Sequence, residues 1–141
     1  MNNRVASLVL ALMGIPAVQA AEAPVREMLK LSPEQAEHVR MEMRGFLVSL
    51  QGIQEGLARQ DFEAVAKMAR LSGRAAPVAA PPGLGKALPE AFRELGGATH
   101  MAFDQLAMDA LEVGDVRLSL EQLGGVMQNC IQCHARYRLP D

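Results

Sequence analysis

Tryptophan is absent from this chain of 141 residues, and its other aromatics are four Phe and one Tyr. Aromatic side chains supply much of the buried area of an ordinary core, so something else must fill the middle of this one. Cysteine occurs twice. Two cysteines cannot staple a small disulfide scaffold, nor complete a four-cysteine zinc or iron–sulfur site. Positive charge is not in excess. The formal net charge is −2, which leaves no basic footprint for nucleic acid. Threonine occurs once, at Thr99, and beyond residue 20 isoleucine occurs only at Ile53 and Ile131. Ala, Leu, Met, Gln and Glu dominate instead, which favours helix over strand.

What is present points to one globular domain. Half of the residues are hydrophobic and 21% are charged, a balance that excludes both a disordered tail and a multi-span membrane protein. The length is too short for two good cores.

Residues 1–20 read MNNRVASLVLALMGIPAVQA. Arg4 precedes an apolar run from Val5 to Met13, and small residues flank Gln19. This is the pattern of a secretory signal peptide cut after Ala20. The competing reading, an uncleaved anchor, needs a longer apolar run. The expected location is a bacterial periplasm, with no membrane span once the signal is removed. The expected mature domain is 21–141. Export also means oxidising surroundings, where two thiols need a reason to exist.

Four helices are expected, over approximately 33–58, 61–72, 89–113 and 115–138. Ser32, Pro33 and Gln35 form the start signal of the first, with a capping box and Pro at the first helical position. Its apolar stripe is Val39, Met43, Phe46, Leu47, Leu50, Ile53 and Leu57. Asp61 caps the second, which carries Phe62, Val65, Met68 and Ala69. Residues 73–89 hold four prolines and three glycines and read as an irregular crossover. The third helix presents Phe92, Leu95, Thr99, Phe103, Leu106 and Ala110. Asp115 caps the fourth, whose expected face is Leu120, Leu123, Met127, Ile131 and His134. Short turns make each pair an antiparallel hairpin. The expected fold is all-α, an antiparallel four-helix bundle.

The strongest motif is Cys130-Ile131-Gln132-Cys133-His134. Two thiols at i and i+3 share one helix face. They can form thioethers to one side of a porphyrin, and the adjacent His134 can reach the iron as proximal ligand. The motif is that of c-type haem attachment, so the expected cofactor is haem c, one iron per chain. A disulfide oxidoreductase also uses Cys-x-x-Cys, but places it between a strand and a helix. A zinc site needs a fourth ligand, and a disulfide across i, i+3 of a helix is strained.

With this motif at the end of four helices, residues 31–138 resemble the cytochrome c prime family and its low-spin, six-coordinate relatives. The resemblance is carried by LSPEQAEHVR at 31–40, by the Gly114-Asp115 turn, and by CHARYR at 133–138. It implies a haem environment that includes Arg40, near the propionates, and Arg138, beside the proximal ligand. Arg138 would also be the i+4 helix neighbour of His134. It implies a homodimer through the first two helices. Here the outer faces of those helices carry Glu37, Glu42, Glu55, Arg59, Lys67 and Arg70, which leaves dimerisation open. Arg44 departs from the family, standing where an apolar distal residue is usual.

The position opposite His134 decides function. Met43, on the apolar stripe, is one candidate sixth ligand and His100 is its rival. Met41 should point elsewhere, and His38 sits near the helix start. A closed site makes an electron carrier, whose partners are transient redox proteins. An open five-coordinate site binds NO or CO. A thiol–disulfide enzyme is the minor alternative. Gly124 and Gly125, in mid-helix, suggest close approach of a helix or macrocycle, or a kink.

Overall fold

The computed structural model describes residues 25–75 and 79–140. Segment 1–20, expected to be a signal peptide, lies outside the described residues. Within them the chain is mostly helical. A two-residue strand β1 (Glu27–Met28) precedes α1 (Pro33–Ala58) and α2 (Phe62–Arg70). A single-turn helix α3 (Leu84–Ala87) leads to α4 (Glu90–Glu112) and α5 (Val116–Arg136), and a second short strand β2 (Tyr137–Arg138) follows at once.

The helix starts follow from their caps. Ser32 Oγ accepts from the Gln35 N–H at 3.2 Å, and the Ser32 N–H donates back to Gln35 Oε1 at 3.1 Å. That reciprocal pair satisfies two donors the helix cannot use internally. Asp61 accepts from the Ala64 N–H at 2.9 Å, and Asp115 from the Leu118 N–H at 2.6 Å. Gly114 adopts a φ of +61° before Asp115, a conformation that favours glycine in so tight a reversal. Gly56 serves the other hairpin differently. A Cβ there would stand 2.8 Å from Val65 Cγ2, so its hydrogen lets α2 fold back close onto α1.

α1 packs on α2, α2 on α4 and α4 on α5, with a lighter contact between α1 and α5. The larger core cluster includes Phe46, Ile53, Val65, Phe103, Leu106, Leu123 and Val126. Each fully buried side chain of this size contributes about 1.5–3 kcal/mol. Phe46 and Phe103 stack with ring centres 5.6 Å apart. A second, smaller cluster joins Leu29, Val39, Leu84, Phe92 and Tyr137, and Met43 and Cys133 pack against it.

Four expectations are corrected. The last helix ends at Arg136, because Tyr137 turns extended and buries its ring edge-on against Phe92, centres 5.4 Å apart. Arg138 is therefore in β2 and is not a helical i+4 neighbour of His134. The buried face of α5 is Ser119, Leu123 and Val126, while Leu120, Met127 and Ile131 are 53%, 46% and 60% exposed. The helix is rotated from its expected face, and only Leu123 belongs to both stripes. Leu47 of α1 is likewise exposed. The crossover is not wholly irregular, since Leu84 is buried and nucleates α3.

The strands pair in parallel, Glu27 with Tyr137 and Met28 with Arg138. The Leu29 N–H then donates to the Arg138 carbonyl at 2.9 Å. This clasp ties the start of the described chain to the residues just after the Cys-x-x-Cys-His motif. Among the described residues no helix is long and apolar enough to cross a membrane.

Candidate functional site

The buried stripe of α5 runs on from Ser119, Leu123 and Val126 to Cys130, Cys133 and then Tyr137, all at helical spacing. Both thiols therefore point along the core side of the helix and are partly buried. Cys130 Sγ donates to the Val126 carbonyl at 3.4 Å. His134 lies one step round the helix and is exposed.

Two adjoining cavities open beside these residues. The larger, about 450 Å³, is lined by Cys133, His134, Met43, Arg40, Arg138 and Phe92 among others. The smaller, about 40 Å³, is lined by both cysteines, His134, Met43, Phe46 and Phe92. Met43, Phe92, Cys133 and His134 are common to both. Three helices thus bring a thioether, an aromatic ring, a thiol and an imidazole to one place.

Arg40 Nη2 donates to the Pro140 carbonyl, and its Nη1 lies 3.7 Å from Glu37. Arg138 lines the larger cavity with His134, although strand rather than helix carries it there. Arg44 turns outward and holds Glu37 Oε1 at 2.6 Å. That hydrogen bond is the main reason the Glu37 carboxyl titrates below its ordinary value.

His100 is held in a different cavity, about 240 Å³, which His38 and Met41 also line. Its Nδ1 is 2.8 Å from the Ser72 carbonyl oxygen, and its Nε2 is 3.3 Å from Glu42 Oε1. Both partners are acceptors, so the ring satisfies both only when both nitrogens carry protons. The Glu42 hydrogen bond accordingly raises the His100 pKa, against the opposing effect of burial. The structure brings Met43, and not His100, into the cavities with His134.

Burial pushes both thiols above their ordinary pKa, and for Cys133 the neighbouring Cys130 adds to the effect. A thiol that attacks disulfides needs the opposite shift. Among the described residues no three His, Cys, Asp or Glu side chains converge as a metal-binding group. Gly124 and Gly125 are exposed, and a Cβ on either would meet nothing within 4 Å. No close helix approach explains them.

The wall residues that the sequence did not suggest are Arg26, Leu29, Tyr137, Leu139 and Pro140. The alternation of Leu29 and Leu31 was the one available signal of an extended, half-buried segment. No family model, curated protein or solved structure matches this chain.

Proposed function

We propose that the chain is an exported c-type cytochrome, a four-helix bundle of the cytochrome c prime kind, that carries single electrons in the periplasm. One observation supports this best. The two thiols and the imidazole of the haem-attachment motif line adjoining cavities together with Met43, a thioether from a different helix. The larger cavity falls within the size range of cofactor sites. Its walls are apolar at Leu29, Val39 and Phe92 and cationic at Arg40 and Arg138, which suits a flat apolar ring with carboxylates at one edge. The donor set therefore fits haem c.

Cys130 and Cys133 would tether the group, and His134 would hold its iron. Met43 would be a second residue holding it, from α1. When bound, haem c supplies an iron that changes oxidation state by one electron, and His/Met ligation raises its potential. Phe92, Leu29 and Tyr137 exclude water from the cavity interior. The guanidinium groups of Arg40 and Arg138 offset carboxylate charge at the mouth. Transient redox proteins are the partners such a carrier serves. The motif lies near the end of α5, which follows α4 and not a strand, unlike the motif of a disulfide oxidoreductase.

A second reading has its own support. Met43 packs against both core clusters, as a core-filling methionine does. If it stays there, His134 alone among these residues would hold the iron, and the group would be open to NO or CO. Oxidised, reduced and CO-treated spectra of the matured protein separate the two. A reduced low-spin spectrum unmoved by CO supports the carrier. A high-spin spectrum that CO shifts supports gas binding.

A further inference from the structure

A third arginine lines the larger cavity, from a segment outside the helices. Arg26 lines that cavity with Arg40, Arg138 and His134. Its backbone is held by the clasp. The residues after it pair with Tyr137 and Arg138, the Leu29 N–H bonds the Arg138 carbonyl, and Leu29 is buried in the smaller core cluster.

Among the described residues few carboxylates pair with these three cations. Among the described residues neither Arg26 nor Arg138 forms an ion pair. Arg40 donates to the neutral Pro140 carbonyl, and its one carboxylate neighbour among the described residues is Glu37 at 3.7 Å, which Arg44 already holds at 2.6 Å. Like charges gathered on one recess raise its potential and draw an anion into it. A guanidinium pairs best with a planar carboxylate, through two parallel hydrogen bonds.

We propose that Arg26 is a cofactor-binding residue whose guanidinium holds a haem propionate at the cavity mouth, beside Arg40 and Arg138. This rests on the haem reading of the cavity. The clasp would then form part of the site, and the Arg26 cation would disfavour the more positive, oxidised state of the bound group.

The test uses matured holoprotein of the wild type, Arg26→Gln and Arg26→Lys, each held at the wild-type midpoint potential while absorbance reports the reduced fraction. The reduced-to-oxidised ratio is expected to fall about two- to fivefold in Arg26→Gln, the scale of one unit charge acting on another through a water-rich medium. It is expected to recover in Arg26→Lys. The pH profile of the ratio should also move, because a carboxylate that loses a cation titrates at higher pH. An unchanged ratio and profile in haem-bearing Arg26→Gln overturn the assignment while the haem site stands. An equal fall in Arg26→Lys also overturns it, since it points to disturbed packing instead of charge. A wild-type chain that retains no haem after denaturation overturns both the assignment and the reading beneath it.

Discussion

Tyr137 meets Phe92 edge-on, with ring planes at 73° and centres 5.4 Å apart. This contact ends α5 at Arg136, two residues after His134, and fixes the tail that carries Arg138. Tyr137 is 7% exposed, so its removal opens a cavity in the smaller core cluster. Tyr137→Ala should lower unfolding stability by about 3 kcal/mol. A urea titration measures this as a lower midpoint at constant slope. A loss within a few tenths of a kcal/mol would mean that the tail does not brace the motif.

Met43 and His100 give opposite expectations. Met43 shares both cavities with His134, and His100 has both ring nitrogens engaged elsewhere. The low-spin spectrum of the matured protein should be lost in Met43→Ala and kept in His100→Ala. The reverse result would make His100 the ligand and the observed side-chain arrangement irrelevant to the holoprotein.

His100 also predicts a pH dependence. Its folded pKa is raised from 6.5, chiefly by the Glu42 hydrogen bond, with help from the Ser72 carbonyl and Asp104. A raised pKa adds stability that is fully present below the unfolded value of about 6.5. The contribution is lost as pH rises through the folded value. The urea midpoint of the wild type should fall over that window relative to His100→Gln. Parallel curves for the two proteins would sink the protonated clamp between α1, α4 and Ser72.

The glycines divide by what surrounds them. Gly124→Ala meets only open space and should stabilise the haem-free chain by about 0.5–1 kcal/mol. Gly56→Ala drives a methyl group against Val65 and should destabilise it by about 1–3 kcal/mol. Thermal melts of the two variants should shift in opposite directions, and a shared direction would contradict the packing of α1 on α2.

Much of the helical layout was legible because caps are local. Ser32, Pro33 and Gln35 mark the start of α1, and Asp61 and Asp115 mark the two hairpins. The face of α5 was not legible. Leu120, Met127 and Ile131 form an apolar stripe as regular as the buried one, which contains the polar Ser119 and the cysteines. Hydrophobicity alone chooses the wrong side. The clasp was hidden for another reason. It joins two-residue strands from opposite ends of the chain, and nothing local to either end specifies the partner. Of the candidate site, the motif was plain in the sequence. The shared cavities of Met43 and His134, and the cation at Arg26, depend on long-range packing.

The central claim is that Cys130 and Cys133 carry haem. The direct measurement is the intact mass and absorbance of the chain after denaturation, following expression with cytochrome-maturation machinery. One haem should remain bound to the wild-type polypeptide, and none to a Cys130→Ala/Cys133→Ala double variant. A denatured wild-type chain with the mass of the bare polypeptide and no haem absorbance would contradict the account.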